Sequence, residues 1–144
     1  MSEKNKQTSA KSKEDSDLAF HYTSKEGMKG IAMSGQINAS VAGKKDDVTF
    51  GAHKVYMTPR HPEKNTRLEI AKNNYDGSPD YAKSKLPSTE YAIGFNAKDI
   101  QAKREKDERS IQTVKGDVPL EKAQVIYKKK GDGYEKIWSK SDKK

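Results

Sequence analysis

The chain contains no cysteine, which excludes disulfide bonds and thiolate-ligated metal sites. No segment approaches the roughly 20 consecutive apolar residues that a membrane-spanning helix needs, and residues 1–17 lack the apolar core of a signal peptide. Hydrophobic residues make up 31% of the 144 positions and charged residues 35%, so we expect one domain with a thin core. These absences predict a cytoplasmic protein, or one delivered into a target cytosol without a classical signal peptide.

Several common catalytic motifs are also missing. The three histidines, His21, His53 and His61, have no metal-binding spacing, and no His-Glu-x-x-His or paired-cysteine motif accompanies them. We therefore expect no metal. The chain has neither a Gly-x-Ser-x-Gly motif nor a phosphate-binding glycine loop. Classical hydrolases and P-loop enzymes are excluded on this basis.

Basic residues are in excess, and they are unevenly distributed. The formal charge of +8 and the pI near 9.4 favour polyanionic partners such as nucleic acid or nucleotides. In residues 1–17, however, lysines and carboxylates cancel, which predicts a disordered polyampholyte tail. We expect a single domain over 18–140 and a short basic tail over 141–144.

Between the tails, the hydrophobic pattern alternates between strands and short helices. Strands are predicted at 18–23, 53–58, 89–95, 109–114, 123–129 and 134–140, the last two joined by a hairpin at Asp132-Gly133. Helices are predicted from the capping sequence Thr23-Ser24-Lys25-Glu26 to Gly35, and over 62–74, while 76–88 is predicted to be a loop. The predicted fold class is α+β: a split antiparallel β-sandwich of six or seven strands with two short helices.

Two short segments, "FHYTS" and "FGAHKVYMTPRHPE", carry a family resemblance. His21-Tyr22-Thr23, Gly35, Phe50-Gly51 and Val55-Tyr56-Met57-Thr58 follow one another in the order and spacing seen in mono-ADP-ribosyltransferases. The chain resembles the His-Tyr-acid clade of that family, in particular the small toxin domains with a His-Tyr-Asp signature. The resemblance covers residues 18–60 well and residues 89–129 only as a matching order of strands. It departs from the family where Ala52-His53-Lys54 fill a region that usually contains glycine.

The resemblance implies an enzyme that uses NAD as co-substrate. His21 would bind a ribose hydroxyl, and Tyr22 and Thr23 would hold the nicotinamide amide. Tyr56 would stack on the nicotinamide ring, which contributes about 1 kcal/mol beyond area burial. A carboxylate would stabilise the positive charge that develops on the ribose as nicotinamide leaves. NAD glycohydrolase activity is an expected side reaction.

Three acidic residues are candidates for that carboxylate. Glu108 precedes the strand "RSIQTV", and strand order favours it, provided that this strand lies beside the strand ending at His21. Glu90 opens the strand "TEYAIGF" and is the second candidate. Asp117 matches the expected residue type but lies in a predicted turn.

Two other functions remain open from the sequence. A basic ribonuclease toxin would pair His21 or His53 with Glu108 as acid and base, and would bind phosphate through lysines. A catalytically inactive binding module with the same fold is the second alternative. The lysine-rich hairpin "YKKKGDGYEK" could contact RNA. We expect a monomer with a macromolecular target, protein or nucleic acid, and the toxin resemblance leaves room for an immunity protein.

Overall fold

The structure is a computed structural model that describes residues 14, 15, 17–41, 53–75, 79–104 and 110–142. Its strands in chain order are β1 Leu18–Thr23, β2 Gln36–Ile37, β3 Ser40–Val41, β4 His53–Met57, β5 Tyr91–Asn96, β6 Lys103–Arg104, β7 Gln112–Lys115, β8 Val118–Pro119, β9 Ala123–Lys130 and β10 Gly133–Ser139. Its α-helices are α1 Lys25–Ser34, α2 Arg67–Asn74 and α3 Pro79–Ser84, and short 3₁₀ helices cover Leu86–Thr89, Leu120–Lys122 and Lys140–Asp142.

These strands form two four-stranded sheets, and every pairing is antiparallel. The first sheet has the order β1-β5-β9-β10, and the second has the order β3-β4-β7-β6. A two-stranded ribbon joins β2 to β8. The predicted α+β class with antiparallel sheets and short helices is confirmed, although the described residues contain more strands than predicted and a third helix.

Alternation along β1 supplies side chains to two separate cores. Ala19 faces the space between the sheets, where it packs in a cluster with buried residues of β4, β5 and β7 and with Ile31 of α1. Phe20 and Tyr22 face the other way, where they pack with Ile70 of α2 in a second cluster. Burying a side chain such as Phe20, which is fully buried, is worth about 1.5–3 kcal/mol.

Helix α1 is held at both ends. The Ser24 side chain, not Thr23 as predicted, caps the helix by accepting a hydrogen bond from the Gly27 N–H at 3.0 Å. Gly35 ends it with φ of 80°, the left-handed conformation predicted for this glycine. Along the helix, Ile31 is buried, Met28 is partly buried and Ala32 is exposed.

The region between β4 and β5 differs from the prediction. Helix α2 begins at Arg67 instead of residue 62, because Thr66 and Glu69 form a reciprocal capping box. The predicted loop 76–88 contains α3 and most of a 3₁₀ helix. Ala82 of α3 is buried, so tertiary packing stabilises a helix that is too short to form alone.

The predicted boundaries of both tails also change. The Asp15 N–H donates to the Pro59 carbonyl at 2.7 Å, and Glu14 forms a β-bridge with Arg60. The Ala97 N–H donates to the Asp17 carbonyl at 2.9 Å. Residues 14, 15 and 17 therefore belong to the domain and not to a tail, as do residues 141 and 142 of the last 3₁₀ helix.

Candidate functional site

The two sheets meet at a β-bridge and then separate. Phe20 of β1 and Thr58, just after β4, exchange backbone hydrogen bonds of 2.8 and 2.9 Å. The next hydrogen-bonded position of a regular ladder would join Tyr22 to Tyr56. Instead, the ring Nδ1 of His21 lies 3.0 Å from the Tyr56 carbonyl oxygen. The imidazole thus takes the place of a backbone donor where the strands diverge.

This contact fixes the chemical state of His21. A carbonyl oxygen only accepts, so Nδ1 carries the proton and donates it, which leaves Nε2 as an acceptor in the neutral ring. Desolvation by burial lowers the pKa of His21, and the hydrogen bond to Tyr56 opposes this only in part. His21 is therefore neutral at pH 7.

The split also leaves backbone groups of Tyr22 facing the gap. Phe20 directs its N–H and C=O toward β4, and residues two apart on a strand point the same way, so Tyr22 does likewise. Within the described residues neither group of Tyr22 has a hydrogen-bond partner. By the same alternation the Tyr56 N–H also points into the gap.

The Tyr22 side chain lies on the opposite side of β1, in the core. It is buried, and its hydroxyl donates to the Arg60 carbonyl at 2.7 Å. Burial raises the pKa of Tyr22 well above its ordinary value, and the neighbouring Tyr134 and Tyr127 add to this, so it stays a neutral phenol. Only the backbone of Tyr22 can therefore serve a ligand in the gap.

The gap is a cleft of about 390 Å³. Tyr56 is 49% exposed on its rim. The lining comprises Phe20, His21, Tyr22, Asn38, Val55, Tyr56, Met57, Asn74, Tyr75 and Ile111. The structure thus brings His21, Tyr22 and Tyr56 together, whereas Thr23 is not in the lining. The Thr23 hydroxyl instead occupies the space that a side chain at Gly27 would need.

Two of the three candidate carboxylates lie elsewhere. The Glu90 carboxylate accepts from the Lys25 N–H and contacts the Lys129 ammonium, each at 3.2 Å. Burial opposes ionisation of Glu90, but the hydrogen bond and charge of Lys129 outweigh it, so the pKa is held below its ordinary value. Asp117 accepts from the Ala39 N–H at 2.7 Å and from Gln36. No carboxylate is among the described residues that line the cleft.

The first candidate, Glu108, lies outside the described residues, as do Phe50-Gly51 and Ala52. The strand that follows it, β7, pairs with β4 and not with β1, so the predicted strand order is wrong. The neighbour of β1 is β5. Ile111, directly before β7, nevertheless lines the cleft.

The other histidines have separate positions. His53 opens β4. His61 packs against Phe20 with ring centroids 5.0 Å apart, and its Nδ1 accepts from the Glu63 N–H at 3.0 Å. In the part of the chain that the structure describes, no group of three or more metal-binding side chains lies together.

Sequence reasoning missed the wall formed by the end of α2. Asn74 and Tyr75 line the cleft there, and Tyr75 contacts Tyr81 of α3, with ring centroids 6.5 Å apart. The only signal in the sequence was a tyrosine directly after a helical segment.

No protein-family model, curated protein or solved structure matches this chain. In the described ranges, no helix has both the length and the apolar character required to cross a bilayer.

Proposed function

We propose that the cleft binds NAD and that the protein transfers ADP-ribose from it to a macromolecular acceptor. One observation carries the proposal: the split between β1 and β4 leaves the N–H and C=O of Tyr22 directed into the cleft beside His21. A primary carboxamide offers one acceptor and two donors, so the amide of nicotinamide can pair with both backbone groups of Tyr22. The order of the His21, Gly35 and Tyr56 motifs, which resembles that of mono-ADP-ribosyltransferases, supports the same ligand.

Two other residues of the cleft can bind the nicotinamide ring and the ribose attached to it. The Nε2 of neutral His21 accepts a hydrogen bond from a ribose hydroxyl, and the ring of Tyr56 stacks on nicotinamide. In the transfer, the bond between C1′ and the nicotinamide nitrogen breaks, and nicotinamide leaves with the bonding electrons. The acceptor forms a new bond to C1′ and releases its proton to solvent.

A carboxylate below the ribose would stabilise the cationic transition state. Glu108 remains the assignment that we propose for it, since it lies three residues before Ile111 of the cleft wall. Glu90 accepts from the Lys25 N–H and contacts the Lys129 ammonium, and Asp117 accepts from the Ala39 N–H. Neither residue lines the cleft.

The first test is calorimetric titration with NAD, combined with thermal unfolding. A ligand that binds only the folded state stabilises it by about 2.7 kcal/mol at a hundredfold excess over its Kd. We expect heat of binding and a higher melting temperature, and absence of both at millimolar NAD would refute the proposal. Release of nicotinamide in a cell lysate, with label transferred from NAD, then separates an enzyme from an inactive binding module.

A pair of variants with matched exposure locates the ligand. Tyr56 and Ile137 are each 49% exposed, but of the two only Tyr56 lines the cleft. Tyr56→Ala is expected to weaken NAD binding about tenfold, which corresponds to the loss of about 1.4 kcal/mol of stacking. Ile137→Ala should leave NAD binding unchanged, and an equal loss in both variants would place the ligand elsewhere.

A further inference from the structure

One wall of the cleft is formed by two segments from different parts of the fold. Asn74 and Tyr75 lie at the end of α2, and Ile111 lies directly before β7. Helix α2 is outside both sheets, and the ladder between β7 and β4 begins at Gln112. Strand pairing therefore does not fix where Ile111 lies relative to α2, and side-chain contacts must do so.

The side chain of Asn73 joins these two segments. Its Oδ1 accepts from the Ser110 N–H at 2.9 Å, and its Nδ2 donates to the Ser110 carbonyl oxygen at 3.0 Å. Both residues are buried. One amide thus pairs with both backbone groups of Ser110, as a neighbouring strand would. This pairing, which we call the Asn73 clamp, fixes the orientation of the residue that precedes Ile111.

The same amide contacts two further residues beside the cleft. Because the Ser110 N–H requires an oxygen and the Ser110 carbonyl requires a nitrogen, the orientation of the amide is defined by its partners. Nδ2 donates to Asn74 Oδ1 at 2.9 Å and lies 3.3 Å from Thr58 Oγ1. Asn74 lines the cleft, and Thr58 forms the bridge to Phe20 at which the two sheets separate. One buried side chain therefore contacts three parts of the chain that border the cleft.

Core packing alone does not account for an asparagine at this position. Asparagine is a poorer helix former than alanine or leucine, and a buried amide costs free energy unless its hydrogen bonds are made. An apolar residue here would remove the partner of both backbone groups of Ser110 in the interior. The Ser110 hydroxyl does not replace the clamp, because it donates to the Glu14 carboxylate. What the asparagine supplies is the position of this backbone.

We propose that Asn73 is the positioning residue of the cleft: it does not line the cavity, but the Asn73 clamp determines where Ile111 lies and therefore how tightly the ligand binds. A misplacement of about 1 Å costs up to about a hundredfold where function depends on geometry. The position of Ile111 is a property of the free protein, while the choice of NAD as the ligand rests on the proposed function.

Asn65 supplies a matched control. Asn65 and Asn73 are each 6% exposed. Asn65 Oδ1 accepts from the Arg60 guanidinium at 3.0 Å, and its Nδ2 donates to the His61 carbonyl oxygen at 2.9 Å. Neither Arg60 nor His61 lines the cleft. Asn73→Ala and Asn65→Ala therefore each remove a buried, hydrogen-bonded amide, and we expect both to lower the melting temperature by several degrees.

The first measurement needs no NAD. A ¹³C-labelled δ1 methyl group of Ile111 reports on the cleft wall of the free protein by NMR. We expect one sharp signal in the parent and in Asn65→Ala, and a broadened or divided signal in Asn73→Ala, because Ser110 is no longer held. An unchanged Ile111 signal in folded Asn73→Ala would overturn the positioning role.

The second measurement is calorimetric titration with NAD, well below the melting temperature of each protein. We expect Asn73→Ala to bind NAD about tenfold more weakly than the parent, and Asn65→Ala to stay within about twofold of it. Equal affinities for Asn73→Ala and the parent would overturn the inference. Failure of the parent to bind NAD would instead refute the proposed function, and the Ile111 signal would still decide the positioning role.

Hydrogen exchange of the parent decides the question if Asn73→Ala does not fold. Opening of the clamp exposes the Ser110 N–H to solvent. If the open form binds NAD about tenfold more weakly, saturating NAD must slow this exchange by the same factor. The Lys64 N–H, which donates to the His61 carbonyl oxygen at 3.0 Å, is the reference and should be unaffected. Equal slowing at Ser110 and Lys64, or none at Ser110, would overturn the inference.

Discussion

His21 replaces a backbone hydrogen bond at the point where β1 and β4 separate. Its Nδ1 satisfies the Tyr56 carbonyl that the separation of β1 and β4 deprives of a backbone partner. The same bond orients the ring and leaves Nε2 for a ligand. The imidazole side chain of His21 thus replaces the backbone donor of the missing position in the ladder between β1 and β4.

The lowered pKa of His21 predicts a pH dependence of stability. The unfolded chain, with a His pKa near 6.5, binds a proton more readily than the folded chain, so stability rises with pH. We expect the free energy of unfolding to be at its plateau above about pH 7 and to decrease as the pH falls through 6.5. His61, whose pKa burial also lowers, contributes in the same direction.

His21→Gln isolates the contribution of His21, because a glutamine amide can still donate to the Tyr56 carbonyl. Denaturant unfolding at pH 7.5, 6 and 5 should show a smaller loss for this variant than for the parent. Equal losses in the two proteins would show that His21 does not titrate as its surroundings indicate.

Replacing Glu108 tests the carboxylate of the proposed reaction. Glu108→Gln keeps the size of the side chain but removes the charge, so turnover is expected to fall about a hundredfold or more with little change in NAD affinity. Glu90→Gln and Asp117→Asn should have mild effects. Kinetics on all three variants decide the assignment, and full activity of all three would exclude a carboxylate mechanism.

The sequence predicts those parts of the candidate site whose positions are determined by neighbouring residues in the chain. The strand positions of His21 and Tyr56 follow from alternation, and the motifs give both residues. The free backbone of Tyr22 does not follow from its side chain, which is buried on the other face. The exposure of this backbone depends on where β4 separates from β1, and the place of Tyr75 in the cleft wall depends on where α2 ends. Both are set by tertiary packing and not by the local sequence.

Among the elements, the ends of α1 could be predicted and those of α2 could not. Ser24 and Gly35 act within a few residues of the helix, so the sequence contains their signals. For α2, Pro62 and the capping sequence at Thr66 compete as start signals, and hydrogen bonding at Thr66 decides. Helix α3 has six residues, so only packing defines it.

Strand β5 depends on a glycine for its close contact with its neighbours. A Cβ added to Gly94 would lie 2.8 Å from both the Phe20 ring and Val125. Gly30 of α1, by contrast, has open space around its Cβ position. The two glycines form a matched pair with opposite expected effects.

Gly94→Ala is expected to lower the free energy of unfolding by about 1–3 kcal/mol through overpacking. Gly30→Ala should raise it by about 0.5–1 kcal/mol, since alanine favours the helix. Urea denaturation measures both changes. A neutral Gly94→Ala would mean that Phe20 and Val125 can move apart, contrary to the close packing of the cluster under α2.

For the whole molecule, the fold class was predictable and the order of strands was not. Alternating hydrophobicity identifies β1, β5, β9 and β10, and the hairpin signal pairs the last two, although the turn residues are Gly131 and Asp132. Gly131 has φ of 61°. Nothing local shows that β7 pairs with β4, because long-range pairing depends on the shared core of Val55 and Val114.

Truncation tests where the domain begins. Removing residues 1–13 should leave the melting temperature unchanged, given their balanced charge. Removing residues 1–17 also deletes the hydrogen bonds from Asp15 to Pro59 and from Ala97 to Asp17. At about 1 kcal/mol for each bond, the melting temperature should fall by several degrees. Equal melting temperatures for both truncations would place the boundary at Leu18.

The position of β1 has a consequence for the order of synthesis. Both of its neighbours, Thr58 and β5, follow it in the chain and are therefore synthesised later. The wall of the cleft also includes Ile111, which precedes β7, and β5 pairs with β9 as well as with β1. A nascent chain that ends soon after Tyr56 therefore lacks part of the cleft wall, and the cleft is completed only after β9 has been synthesised.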